Sequence, residues 1–268
     1  MRLPVAALIR FHPVEPASGT SIRPTSMIEP AAQLALFASS AALATGGALY
    51  AAHWPGSRLY GTALIAPARP DEIALTFDDG PNPRWTPMLL EILARHNARA
   101  TFFLLGKYAA LQAPLVRQMR QSGHTIANHS WSHPNFAFTG NRQTQNELTR
   151  TQAELESILG EPVRFFRPPF GARRPYTLRL ARTLGLTPVL WNAMAADWKA
   201  TKVEQVAPRL AALIQRNQTR GLASNVVLHD GGQHSLDVDR SASVASAEAL
   251  LARFAPTHRF VPLEAWQS

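Results

Sequence analysis

From Asp71 onward the chain alternates short apolar runs with longer amphipathic segments. The apolar runs Ile73–Phe77, Ala100–Leu105, Thr125–Asn128, Val163–Phe166, Thr187–Trp191, Val226–His229 and Arg259–Pro262 predict strands. The intervening segments near Thr86–His96, Pro114–Ser122, Gln143–Leu159, Pro175–Leu184, Val203–Arg216 and Ser243–Phe254 predict helices. A repeating strand–helix order calls for a parallel sheet. About seven strands with helices between them fit a closed or nearly closed, distorted (β/α) barrel of the α/β class. An open doubly wound sheet is the competing arrangement.

Upstream the pattern changes. Ala31–Ala52 carries no charged residue and, as a helix, reaches about 33 Å, the thickness of a bilayer core. Tyr50 and Trp54 follow where an interfacial aromatic belt would lie. We expect a membrane anchor or signal segment at 31–52, a poorly ordered arm at 1–30, and a catalytic domain at 60–268. Arg2, Arg10 and Arg23 place the N-terminal flank on the cytoplasmic side, with translation starting at Met1 or at Met27. An Ala-rich soluble helix is the alternative for this segment.

Composition narrows the chemistry. Of 268 residues 46% are hydrophobic and 17% charged, which suits a packed core. There is no cysteine, so disulfides and thiolate metal sites are excluded, and any metal must sit on His, Asp or Glu. The net charge of +9 comes almost entirely from Arg spread along the chain. No dense basic run marks a nucleic-acid partner, and none is expected.

The unusual polar residues fall where predicted strands end, and in a βα barrel those ends converge on one face. Thr76-Phe77-Asp78-Asp79-Gly80-Pro81 runs a strand into two adjacent carboxylates, one able to hold a cation while the other stays free as a base. His129-Ser130-Trp131-Ser132-His133 would bring two imidazoles to one face if it formed a helical turn. In Arg167-Pro168-Pro169-Phe170-Gly171 the prolines have no N–H, so Phe170 supplies the first free backbone donor after Arg167. Asp197-Trp198 and Leu228-His229-Asp230-Gly231-Gly232 complete the set. His124, near the second cluster, reads as a structural hydrogen-bonding residue at a strand entrance.

Taken in order, these five clusters resemble the polysaccharide deacetylase family, carbohydrate esterase family four. The resemblance runs from about Glu72 to Phe260. It implies that Asp79, His129 and His133 bind a divalent metal, most simply Zn2+. It implies Asp78 as catalytic base and Arg167 as the residue orienting it. Phe170 would offer its N–H to an oxyanion, Asp197 would tune His229 as catalytic acid, and Leu228 would line the acetyl pocket. Trp198, with Trp131 and Trp191, would stack on sugar rings. The substrate implied is an N-acetylated glycan, peptidoglycan- or chitin-like, met outside the cytoplasm by a membrane-anchored or secreted domain. Met194 stands where many members have Asp, and Phe170 where many have Tyr. A lipid-linked amino sugar or a small cyclic amide is the alternative substrate, and a metal-free carbohydrate-binding protein the alternative class.

Overall fold

The computed structural model describes residues 30–267. The arm at 1–29, with Arg2, Arg10, Arg23 and Met27, lies outside the described residues. The described residues divide at Ala44, and a compact body begins at Thr45.

Helix α1 (Pro30–His53) is uncharged but for His53 in its last turn. It is the one described helix long and apolar enough to cross a membrane, over Ala32–His53. The body is one parallel sheet of eight strands: β1 (Glu72–Gly80), β2 (Thr101–Leu104), β3 (Thr125–Asn128), β4 (Phe165–Phe166), β5 (Thr187–Pro188), β6 (Ala193–Met194), β7 (Ser224–His229) and β8 (Arg259–Phe260). The spatial order is β5-β4-β3-β2-β1-β7-β6, with β8 added beside the start of β1. The sheet curls into a distorted barrel. Its one unpaired step, between β5 and β6, is spanned by the chain at 189–192.

Around it lie α2 (Trp85–Arg95), α3 (Gly106–Leu111), α4 (Ala113–Gln121), α5 (Asn141–Leu159), α6 (Pro175–Thr183), α7 (Ala207–Thr219) and α8 (Ser241–Phe254). Strand β6 and helix α3 have no counterpart in the sequence pattern. Two residues of strand and six of helix are too short to show a period. The predicted helix from Val203 breaks into a 3-10 turn at Val203–Gln205 and then α7, because Pro208 fits only the start of a helix.

Two apolar clusters follow from the period of two along a strand. Ile73, Leu75, Phe77, Phe102, Leu104, Val226 and Leu228 face the helices. Ala74, Phe103, Ala127, Phe165 and Val189 face the barrel interior, closed below by Leu263 and Trp266. Trp266 is locked there by its indole N–H, which donates to Glu72 at 2.8 Å. Continued upward, the interior parity runs through Thr76 to Asp78, through Ala127 to His129, and through Phe165 to Arg167. It also runs from Val189 to Trp191 and from Val227 to His229. The fold thus aims these side chains at the upper mouth before any loop acts.

The body begins earlier than residue 60. Ala51, Ala52 and Ser57 are buried, and the buried Arg173 donates to the carbonyls of Ala52, Trp54 and Ser57. The last turns of α1 and the link after it therefore pack as part of the body.

Candidate metal and catalytic site

A cavity of about 550 Å3 opens at the upper mouth. Its lining includes Asp78, Asp79, His129, His133, Phe170 and His229. In a regular strand Asp78 and Asp79 would point to opposite faces. Here the β1–β2 register slips between Asp78 and Gly80, and Asp79 adopts a left-handed φ of 70°. The bulge re-aims Asp79 to the side that Asp78 already faces. Gly80 and Gly231 make this possible. A Cβ on Gly80 would lie 2.5 Å from an Asp230 carboxylate oxygen, and one on Gly231 would lie 2.1 Å from the Asp79 carbonyl.

The segment from His129 to His133 is a bend rather than the helical turn that the spacing suggests. Ser130 and His133 both take left-handed backbone, with φ of 73° and 67°. Glu147 of α5 holds the bend by accepting the N–H groups of Trp131 and Ser132 and the Ser132 hydroxyl. Ser130 Oγ accepts the His133 N–H. Five of the six non-glycine residues with positive φ among those described are Asp79, Ser130, His133, Phe170 and Ala196, all at or beside the cavity. Backbone strain of order 1–3 kcal/mol each persists where surrounding structure imposes it, and such strain concentrates at functional sites.

Asp79 Oδ1 lies 3.5 Å from His129 Nε2 and 3.2 Å from His133 Nε2. One donor atom from each of the three residues falls within 4.8 Å of the other two. Two atoms each about 2.0–2.1 Å from one tetrahedral ion are separated by about 3.3–3.4 Å, so this spacing fits a zinc-like cation. Asp79 Oδ1 is buried and accepts no hydrogen bond, as a ligand atom would be left. His129 Nδ1 sits 2.8 Å from the Arg167 carbonyl. As donor there, it leaves Nε2 with its lone pair toward Asp79. Burial pushes the His129 pKa down to about 3 and that of His133 in the same direction, so both rings are neutral, the form that binds metal.

Two further pairs flank this triad. Arg167, fully buried, donates from Nη1 to Asp78 Oδ1 at 2.7 Å and to Thr76 Oγ1 at 2.8 Å, and from Nη2 to Asn225 at 3.2 Å. Burial lowers its pKa, while the Asp78 charge and hydrogen bond oppose that. Across the cavity, His229 Nδ1 lies 2.9 Å from Asp197 Oδ1, and Asp197 Oδ2 accepts the His229 N–H and the Ser243 hydroxyl at 2.7 and 2.6 Å. Burial alone would lower the His229 pKa. The charge and hydrogen bond of Asp197 outweigh it, with Asp79 and Asp78 adding to the effect, and the pKa rises to about 9.

Phe170 and Trp198 reach the cavity lining, as does Trp191, and Trp198 lies edge-on to His229 at 5.0 Å. Leu228 does not. It faces the helix layer with no exposure, and its neighbour Val227 lines the cavity instead, as strand alternation requires. Val227, Thr76 and Asn225 could have been found by extending that parity. Glu147 and Ser243 carry no local signal, since they arrive from helices. Asp230, in the loop after β7, accepts the Thr86 hydroxyl. Burial raises its pKa to about 7. His124 accepts the Ala100 N–H at 3.2 Å, the structural part expected of it.

A profile for the polysaccharide deacetylase family matches residues 66–189. A chitooligosaccharide deacetylase of Azorhizobium caulinodans is 38% identical over 160 residues, 59% of this chain and 73% of that protein. A peptidoglycan-N-acetylglucosamine deacetylase of Bacillus cereus is 36% identical over 147 residues, which are 55% of this chain and 54% of that protein, so the match spans about half of that relative. A solved peptidoglycan N-acetylglucosamine deacetylase superposes with a TM-score of 0.67 at 30% identity, covering 76% of this chain and 91% of the other.

Proposed function

Because this chain belongs to the polysaccharide deacetylase family, we propose that it hydrolyses the N-acetyl amide of an N-acetylated sugar in a polysaccharide or oligosaccharide, releasing acetate. The observation that carries this reading is the meeting of three unlike pieces in one cavity: the Asp79–His129–His133 donors, the Asp78–Arg167 pair and the Asp197–His229 pair.

A divalent cation bound by Asp79, His129 and His133, most simply Zn2+, supplies Lewis acidity toward water and the amide carbonyl. The chain's own residues do the rest. Asp78 is the carboxylate outside the triad, and it takes the proton from the attacking water. Arg167 keeps that carboxylate aimed into the cavity and compensates its charge where water cannot. As the carbonyl carbon becomes tetrahedral, the Phe170 N–H donates to the oxygen that gains charge. His229, held as imidazolium by Asp197, gives its proton to the sugar nitrogen as the C–N bond breaks. The acetyl methyl lies toward Val227, and Trp191, Trp198 and Phe170 offer faces for sugar rings. α1 anchors this domain to a membrane.

Purified chain supplied with Zn2+ is expected to release acetate and free amines in equal amounts from N-acetylglucosamine oligomers. A chain that binds Zn2+ yet deacetylates neither these nor peptidoglycan refutes the proposal.

A further inference from the structure

The end of α1 is fastened to the catalytic mouth, and the fastening is built rather than incidental. Arg173 is 1% exposed. Its guanidinium donates only to backbone carbonyls: Trp54 at 2.8 Å, Ser57 at 2.9 Å, Gly171 at 3.0 Å and Ala52 at 3.4 Å. Its own N–H also donates to Ala52, at 3.0 Å. A cation at the C-terminal end of a helix meets the negative end of the helix dipole, which favours this seat. The same turn touches both loops of the site. A Cβ on Gly171, beside Phe170, would lie 3.6 Å from the His53 carbonyl. The His53 ring comes to 3.4 Å from the Asn135 side chain, two residues beyond His133, and packs 6.2 Å from Phe138.

The segments that form this junction expose aromatic rings and hold no carboxylate; the exposed Asp237 and Asp239 lie on the separate loop at 232–240 that also lines the mouth. Phe138 is 73% exposed, Trp54 57%, Tyr50 50% and Phe170 50%. Tyr50 and Trp54 stack at 6.1 Å. Segments 30–70, 129–146 and 162–196, which form the junction and the loops it touches, contain no Asp or Glu, while Arg58 and Arg142 are exposed. Tyr and Trp rings, with an apolar body and a polar edge, favour the headgroup level of a bilayer, an exposed Phe ring beside them adds apolar surface there, and exposed Arg is drawn to anionic headgroups.

We propose that the catalytic mouth sits against an anionic bilayer surface, with Tyr50, Trp54 and Phe138 at headgroup depth, so that the sugars it meets lie within reach of the membrane. This rests on the reading of α1 as a membrane segment. An apolar segment ending at His53 leaves the bilayer there, and His53 already contacts the loops that carry His133 and Phe170.

The chain has no cysteine, so single labels can be placed cleanly. Phe138→Cys marks the proposed contact. Ser122→Cys marks the exposed opposite end of the barrel, where the chain enters β3. Each full-length variant, spin-labelled, is reconstituted into vesicles of phosphatidylglycerol and phosphatidylethanolamine. Relaxation is then measured with oxygen, which partitions into lipid, and with a water-soluble nickel chelate. The label at 138 should respond more to oxygen and the label at 122 more to nickel, with a smaller contrast in pure phosphatidylcholine. If the chain stays in the vesicles while both labels respond alike to nickel, the mouth does not face the bilayer and the inference is overturned. If the chain is washed from the vesicles by carbonate, the membrane reading falls and takes the inference with it. If the contrast is equal in phosphatidylcholine, the anionic preference is wrong. Acetate release from a soluble N-acetylglucosamine oligomer, measured on the same samples, reports the deacetylase reading separately.

Discussion

Replacing Asp197 by Asn should move the alkaline limb of the pH–rate profile by more than two pH units. Asn keeps one oxygen that can accept from His229 Nδ1 while its amide nitrogen replaces the oxygen that accepts the His229 N–H, so the ring keeps its side-chain partner and loses the charge together with one backbone hydrogen bond. In the native site burial pulls the His229 pKa down, and Asp197 overcomes it to hold the value at about 9 against an ordinary 6.5. Without that charge the burial remains, so the pKa should fall below 6.5. At pH 8 a group with a pKa of 9 is about nine-tenths protonated and one of 6.5 about 3% protonated, a difference of roughly 30-fold in the acid form. The sign is fixed by the direction of the shift. A raised pKa means that activity needing the imidazolium, and the stability of the ion pair, are present at lower pH and lost as pH rises through about 9. A cation on Asp79 offsets the part contributed by Asp79 and Asp78, so the limb of the loaded enzyme lies at or below about 9. The assay is acetate release from an N-acetylglucosamine oligomer between pH 5 and 10, with the imidazole titration followed in parallel by NMR. An Asp197→Asn enzyme with an unmoved alkaline limb would refute the assignment of His229 as the acid tuned by Asp197.

Other substitutions separate the remaining roles. Asp78→Asn should keep its metal, measured by elemental analysis, and lose about 10²–10⁴-fold in turnover. Arg167→Met leaves the buried Asp78 carboxylate without its cation and should cost about 3–5 kcal/mol in denaturant unfolding, part of which Asp78→Asn restores in the double variant. Val227→Phe, projecting into the cavity, should depress kcat/KM on N-acetyl substrates with little change in stability. Leu228→Ala should do the reverse, losing about 2–5 kcal/mol of stability while the kinetics of the remaining folded enzyme hold.

Much of the fold was legible because the strong signals are local. Seven of the eight strands coincide with apolar runs, and the polar ends of four of them, β1, β3, β4 and β7, mark the mouth. What the sequence hid was set by distance along the chain or by departures from regular geometry. The Asp78–Asp79 pair reads as opposed on an ideal strand, and only the bulge at Asp79 brings the two together. The His129–His133 spacing suggests a helical turn, but Glu147, fourteen residues beyond His133, clamps a bend in its place. The Arg173 fastening is invisible for the same reason: its partners at 52–57 lie more than a hundred residues away, and nothing about an Arg after a Gly-Ala pair announces that it will be buried. The resemblance implies Leu228 for the acetyl pocket, whereas the parity of β7 turns Val227 to that side.

In the mechanism proposed above, Asp79, His129 and His133 together hold a cation without which the amide is not cleaved. Full-length protein stripped by a chelator and titrated with Zn2+ measures this directly, by following bound metal and acetate release on the same samples. Acetate release should rise in proportion to bound metal and saturate at a single ion per chain, while His133→Ala and Asp79→Ala neither retain the ion nor release acetate. Full turnover by metal-free protein, or stoichiometric metal retained by both variants, would show that these three residues do not hold a catalytic ion.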